Sequence, residues 1–209
     1  MRIAVIGGTG RTGRAVVRRL VAGGHDVVAL VRDPGRADLP TGVELLQGDV
    51  RDASTLRELV QGADAVISAL GPRKSDATVH RDSAPLLVDA MRAAGVRRFV
   101  GVSGAGIAVR GDRKSTRDRI VSAILQRVGG DVVHDKAREY EVWNDSGLDW
   151  TLVRAPRITE KAPSGRVEHS ASRSPRRTVI TPDDLAAFVV HCALDGVHVG
   201  AAPLVAVAA

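Results

Sequence analysis

The run Gly7-Gly8-Thr9-Gly10-Arg11-Thr12-Gly13 is suited to gripping a phosphate. Read from Gly8, it gives G-x-G-x-x-G across Gly8, Gly10 and Gly13. Glycine allows a tight turn and lets backbone come close to a bulky anion. A helix opening at the end of the run presents unpaired N–H groups and a positive dipole end to that anion. Such a triplet is weak by itself, and its surroundings strengthen it. The apolar run Ile3-Ala4-Val5-Ile6 precedes it as a strand, and Ala15, Val16, Val17, Leu20 and Val21 follow at helical spacing. Strand, glycine turn and helix together read as the pyrophosphate cradle of a dinucleotide site.

The next informative position is the end of the second apolar strand. A carboxylate there suits the ribose 2′-hydroxyl of NAD, whereas an arginine suits the 2′-phosphate of NADP. This chain has Arg32, followed by Asp33 and Pro34. The guanidinium fork matches phosphate oxygens, and Arg11 in the loop can approach the same group. Asp33 keeps NAD as a rival, although an Asp-Pro pair commonly starts a turn. The expected cofactor is NADP(H).

These residues need a scaffold, and the chain supplies one. Strands are expected over Arg2–Ile6, Asp26–Val31, Val43–Gln47, Asp64–Leu70, Arg97–Val102, Trp150–Arg154 and Leu204–Val207. Between them fall helices over Arg14–Val21, Ala53–Val60 with Asp52 as N-cap, Val79–Ala94, Asp135–Asn144, and Pro182–Leu194 with Thr181 as N-cap. Pro85 is expected to kink or break its helix, and Gly95 to end it. Residues Gly104–Arg119 read as a surface loop, Ile120–Arg127 as a short helix, and Ala155–Arg177 as a long loop or small lobe. Apolar strands alternating with amphipathic helices imply an α/β fold, a Rossmann-like doubly wound parallel sheet with helices on both faces. The expectation is one domain over residues 1–209, with a substrate-pocket lobe built from 104–119 and 155–177.

Composition agrees and excludes alternatives. The chain has 209 residues, a formal net charge of +6 and 44% hydrophobic residues. A basic balance suits an anionic ligand. Aromatics are scarce (Phe99, Phe188, Trp143, Trp150 and Tyr140), which argues against base stacking and hence against nucleic acid as a partner. The single cysteine, Cys192, lies in an apolar run and reads as a buried structural thiol, with no metal cluster. No run is long enough to span a membrane or serve as a signal peptide, so a cytoplasmic protein is expected, as monomer or homodimer.

Further segments carry a family resemblance. They are Val5–Gly13, Leu30-Val31-Arg32-Asp33-Pro34, Gly48-Asp49-Val50 with Asp52, Ala65–Gly71, Ser146–Arg154 and Asp183-Asp184-Leu185-Ala186. Together they resemble the atypical short-chain dehydrogenase/reductases, in the branch with biliverdin reductase B (flavin reductase) and NmrA-like proteins. The resemblance implies that Asp49, with Val50, meets the adenine, and that Ala69, Leu70 and Gly71 line the ribose side. It places Ser103 near the nicotinamide, and Ala155 and Pro156, within the Ala155–Ile158 peptide, near the carboxamide. Lys136 matches the family's lysine. The residue four before it is Val132, so the usual tyrosine of a Tyr-x3-Lys pair is missing; Tyr140 lies four after it. His134 is a nearby titratable group suited to acid–base work. Ser103, Lys136 and His134 are therefore the catalytic candidates.

The leading reading is an NADPH-dependent oxidoreductase passing a hydride to a flavin, quinone or conjugated carbonyl. The arginines of the lobe segments favour an anionic small-molecule substrate. Two alternatives stand beside it. One is a non-catalytic NADP(H)-binding sensor that regulates a partner, which the missing tyrosine favours; the other is a non-redox isomerase or cyclase on the same fold.

Overall fold

The computed structural model describes residues 1–71, 76–109, 111–113 and 130–208, with the backbone alone for 130–133. Its centre is an eight-stranded sheet in the order β3-β2-β1-β4-β5-β6-β10-β8. The strands are β1 (Arg2–Ile6), β2 (Asp26–Val31), β3 (Glu44–Gln47), β4 (Ala65–Ser68), β5 (Arg98–Gly104), β6 (Asp149–Ala155), β8 (Val167–Ser170) and β10 (Leu204–Val207). A parallel pair, β7 (Arg157–Ile158) and β9 (Val179–Ile180), stands apart. The chain fills one half of the sheet outward from β1 and then returns to β4 on the other side of β1. The switch point therefore lies between β1 and β4, and crevices at such points hold ligands outside the carboxyl ends of the strands.

The helices cover both faces, as a doubly wound α/β fold requires. On one face α1 (Arg11–Ala22) packs against α5 (Pro182–Asp195). On the other lie α2 (Ala53–Leu59), α3 (Val79–Ala94) and α4 (Gly130–Asn144). Ile3, Val5, Val17, Leu20, Phe188 and Val189 belong to the first apolar cluster. Ala4, Ile6, Leu59, Leu87, Phe99 and Trp143 belong to the second, where the Phe99 and Trp143 rings stack 3.5 Å apart. Alternate residues of each strand feed opposite clusters, which is why the strands are apolar throughout. Cys192 is buried in the first cluster, and burial pushes its thiol up to about 12, as befits an inert packing residue.

Several local expectations hold in detail. Asp52 caps α2 by accepting from Ser54 N–H, and Thr181 caps α5 by accepting from Asp184 N–H. Gly95 ends α3 in the left-handed region at φ 72°. Other expectations are corrected. The helix from Val79 to Ala94 is not broken at Pro85, which stands in its second turn and leaves out one backbone bond there. Residues 155–177 are mostly irregular, as expected of a long loop or small lobe, but they also carry the short strands β7 and β8. Within them β8 pairs antiparallel with β10, so the sheet is parallel except at that edge. The expected helix over 120–127 and, of the 104–119 loop, residues 110 and 114–119 lie outside the described residues. Among the described residues no helix is long and apolar enough to cross a membrane.

Close packing at the switch point rests on two glycines. Gly7 sits at φ 75°, and a Cβ there would lie 2.8 Å from the Ala69 carbonyl and Leu70 nitrogen. A Cβ on Gly13 would lie 2.0 Å from Gly7 O. Helix α1 can start this close to β1 only without that side chain. Gly13→Ala is therefore expected to destabilise by about 1–3 kcal/mol, a loss of several degrees in Tm for a chain of this size. Gly10→Ala, whose Cβ would lie 3.3 Å from Gly7 O, should cost less. Thermal melts of the two variants check the order, and an unchanged Tm for Gly13→Ala would mean that α1 shifts freely against β1.

Candidate functional site, a dinucleotide cleft

The cradle forms as its residue types dictate. Gly10 is the N-cap of α1 at φ −76° and ψ 170°, with no side chain to cap the helix. Arg14 N–H makes the first intrahelical bond, to Gly10 O at 2.9 Å. The N–H groups of Arg11, Thr12 and Gly13 therefore have no intrahelical acceptor, and they face outward at the carboxyl end of β1. Gly10 N–H closes the preceding turn onto Gly7 O at 3.0 Å. Arg14 braces the loop from behind, with Nε on Thr9 O at 3.0 Å and Nη1 on Asp38 at 2.9 Å. An anion can be held here by backbone alone.

A cleft opens beside the cradle. Of the residues expected from sequence, Gly7, Thr9, Arg32, Asp49, Val50, Leu70 and Gly71 line it together. Gly8, Gly10, Thr12, Gly13 and Ala69 lie in the adjoining loop, helix start and strand end. Arg32 is exposed, and its guanidinium makes no hydrogen bond or ion pair among the described residues. Asp33 is otherwise engaged: its Oδ1 accepts from Gly35 N–H at 3.1 Å and caps a short 3-10 turn. Asp49 Oδ1 accepts from Arg51 N–H at 2.8 Å, which fixes the turn after β3. Arg11 does not turn toward Arg32 but reaches Glu160 at 3.4 Å, across to the segment after β7.

Ser103, Lys136, Ala155 and Pro156 gather farther along the carboxyl edge. Ser103 pairs in register with Arg154, and Gly104 with Ala155. The Ser103 hydroxyl is buried and has no hydrogen-bond partner among the described residues. Buried hydroxyls are normally satisfied, so an orphan at the carboxyl end of a strand is open to a bond from a ligand group; His25 Nδ1 and Trp143 Nε1 are also unpartnered among the described residues. Ala105 N–H already takes the Ala155 carbonyl at 2.9 Å. Lys136 Nζ bonds Val102 O at 3.0 Å and Glu139 Oε2 at 2.9 Å, a buried pair that pins α4 to β5 beside Ser103. Tyr140 packs its ring edge-on to Trp150, 5.8 Å between centroids, and so belongs to the core. His134 is exposed on α4.

Three polar constructions escaped the sequence reading. The first is a buried pair: His80 Nδ1 meets Asp135 Oδ2 at 2.7 Å, while His80 Nε2 meets Leu70 O at 3.0 Å. The Leu70 carbonyl can only accept, so Nε2 carries a proton. The contact at Nδ1 needs a second proton, held by His80 or shared with Asp135. Asp135 also accepts from the backbone N–H of His80 at 3.1 Å and of Arg81 at 2.8 Å. A carboxylate on α4 thus caps α3, whose own N-cap Thr78 makes no side-chain capping bond. The whole unit fixes the cleft-lining Leu70. The second construction is Arg51, held by Asp76, Asp82 and Thr78. The third is Arg154, fully buried, which clamps Asp112 with two bonds of 2.7 Å and also bonds Ala202 O at 2.7 Å. Each joins residues distant in sequence, and only the arginine of Leu152-Val153-Arg154 lay in a segment already marked.

The fit of a nicotinamide dinucleotide can be judged from these features. The cradle excludes a Cβ at Gly7 and Gly13, free helix N–H groups face its opening, and a buried hydroxyl lacks a partner. A family model described as NAD(P)H-binding matches residues 7–196. The chain belongs to this NAD(P)H-binding family. The resemblance to atypical short-chain dehydrogenase/reductases is borne out. An isoflavone reductase homologue from Zea mays is 42% identical over 109 residues, 47% of this chain and 33% of that one. Photosystem II assembly factor Ycf39 from Synechocystis is 35% identical over 106 residues, 48% of this chain and 32% of that one. The chain thus matches about a third of the length of these relatives. Among solved structures, a Burkholderia pseudomallei protein is 27% identical with a TM-score of 0.78, covering 99% of both chains. A Streptococcus pneumoniae protein provisionally assigned as an NADH-flavin reductase has a TM-score of 0.81 at 22% identity, also covering 99% of both. The latter likeness is one of fold.

The His80–Asp135 pair generates a pH test. Burial alone would raise the Asp135 carboxyl, but the bonds from the His80 ring and from the His80 and Arg81 backbone outweigh it and hold the group below its ordinary value of 3.8. Its stabilisation is complete above that ordinary value and fades as pH falls through the lower value of the folded state. Asp135→Asn is expected to cost roughly 1.5–3 kcal/mol at neutral pH. The deficit against wild type should hold between pH 7 and 5 and shrink below pH 4, read by urea melts at each pH. A deficit that grows in acid would overturn the assignment.

Proposed function

We propose that the protein is an NADPH-dependent reductase that delivers a hydride to a small-molecule acceptor: a flavin, a quinone or a conjugated carbonyl. The observation that carries this reading is the unpartnered, buried Ser103 hydroxyl at the carboxyl end of β5, on the same sheet edge as the glycine cradle. Arg11, Thr12 and Gly13 bind pyrophosphate through backbone N–H groups, and Arg32 meets the 2′-phosphate. The nicotinamide supplies the hydride when bound. Ser103 orients the carboxamide or polarises the acceptor through its free O–H. Lys136, through Val102 O, fixes the strand that carries Ser103. Acceptors of this class can take their proton from solvent, which suits a chain whose Tyr140 is packed on Trp150. The provisional assignment of the Streptococcus neighbour and the name of the Zea mays relative support a reductase.

A specific observation favours a second reading. Lys136 is tied into a buried pair with Glu139, and the Synechocystis relative is named a photosystem II assembly factor. A non-catalytic NADP(H) sensor fits both facts. Steady-state NADPH oxidation with flavins, quinones and enones separates the two. A reductase should oxidise NADPH with at least one acceptor, and Ser103→Ala should lower kcat while leaving NADPH affinity near wild type. Tight NADPH binding with no oxidation above background in any acceptor favours the sensor.

Cofactor choice gives a separate test. Arg32→Ala should weaken NADPH by roughly ten- to a hundred-fold, the range of a charge-assisted contact, and leave NADH nearly unchanged. Calorimetric titration with both cofactors reads this directly, and equal loss for the two would assign Arg32 a structural task.

A further inference from the structure

Asp76 lines the cleft together with Arg32 and Arg51. Both Asp76 oxygens accept from Arg51, one from Nη1 at 3.0 Å and the other from Nη2. Nη2 also donates to Thr78 Oγ1 at 3.3 Å, and Nε donates to Asp82 Oδ2 at 3.1 Å. Arg51 thus faces two carboxylates, and Asp82 also pairs with Arg81 at 3.6 Å, so the carboxylates are matched by arginines and Arg51 is held in place by Asp76. The bonds from Arg51 hold Asp76 below the ordinary carboxylate range despite some burial, and the positive charges of Arg51 and Arg32 add to that effect. Asp76 is therefore an ionised acceptor between two arginines, one engaged and one free.

This arrangement matters for a ligand with either a hydroxyl or a phosphate at the ribose 2′ position. A phosphate brings negative charge and is drawn to Arg32 but repelled by Asp76. It also finds Arg51 already occupied. A hydroxyl brings a donor, and an ionised carboxylate is a strong acceptor for it. Specificity is a difference between two affinities, and a repulsive group sets it as effectively as an attractive one.

We propose that Asp76 tempers the NADPH preference that Arg32 confers on this cleft: by occupying Arg51 it leaves the 2′-phosphate one free guanidinium instead of two. The inference rests on the reading that the adenosine 2′ group lies at Arg32. Removing the charge at Asp76 replaces the two-oxygen grip on the Nη atoms of Arg51 by at most one amide acceptor, while Asp82 still holds Nε and Thr78 still meets Nη2. The phosphate then meets two guanidinium groups instead of one. Asp76→Asn is expected to tighten NADPH about tenfold, the worth of one added charge-assisted contact, and to leave NADH equal or weaker.

The test is calorimetric titration of wild type, Asp76→Asn and the double variant Asp76→Asn with Arg51→Ala. The ligands are NADPH, NADH, and the fragments 2′,5′-ADP and 5′-ADP. The NADPH-to-NADH affinity ratio should rise in the single variant, the 2′,5′-ADP-to-5′-ADP ratio should rise with it, and the double variant should lose the gain. Asp76→Ser serves if the amide disturbs folding, as checked by a thermal melt. An unchanged ratio, or a shift toward NADH, overturns the role of Asp76 while leaving the cleft assignment intact. If wild type binds none of the four ligands, the cleft assignment itself falls, and the proposal with it.

Discussion

Helix α1 can begin against the end of β1 only because residue 13 has no side chain. The approach leaves no room for a methyl group between Gly13 and the Gly7 carbonyl. Much of the site follows from this contact. It sets the first N–H groups of α1 at the carboxyl edge of the sheet. It also presses Gly7 against the peptide joining Ala69 and Leu70, so that the ends of β1 and β4 form adjacent walls. The cleft lies where the chain changes direction across the sheet, and the glycines allow backbone from three elements to converge there. A dinucleotide phosphate needs just such a cradle, because backbone donors cost no side-chain entropy to position.

Around this contact the fold places buried charge with economy. The His80–Asp135 pair lies in the apolar half of the molecule, where an unpaired charge would be severely penalised. Backbone donors from α3 and the Leu70 carbonyl satisfy the remaining hydrogen-bonding positions. Lys136 and Glu139 make a second buried pair one turn farther along α4. Both pairs tie α4 to the sheet edge that carries Leu70 and Ser103. The helix is therefore more than a cover for the second apolar cluster: its polar residues hold the strand ends that line the cleft.

Much of this was legible in the sequence. The strands β1 and β2 are short apolar runs ended by glycine or by Asp-Pro, and such punctuation is local, so their bounds could be read directly. The caps at Asp52 and Thr181 were legible for the same reason. Arg32 and Asp49 could be placed because each ends a strand of a regular βαβ unit, where position along the chain implies position in the crevice. What escaped depends on contacts between distant residues. Nothing near His80 announces Asp135, and nothing near Arg51 announces Asp76. The antiparallel β8 was hidden because residues 155–177 are rich in proline and arginine, and its pairing with β10 is made across the sheet edge. Lys136 matched a family position by sequence, yet its acceptors, Val102 O and Glu139, are seen only when the strand and helix are packed.

The buried Arg154 has a consequence for the two segments that follow β5 and β8. Its guanidinium holds Asp112 from the segment after β5 and lies near the Ala171 carbonyl from the segment after β8. Arg113 N–H then bonds Ser172 O at 2.8 Å, so the two segments are also joined directly. Both are anchored to a central strand as well as to each other. A jaw needs a compliant base, and this base is a core strand with a fully buried side chain. Parting the two segments would leave the Arg154 guanidinium charged and unpaired in the core, a heavy penalty that binds them to the strand and to each other.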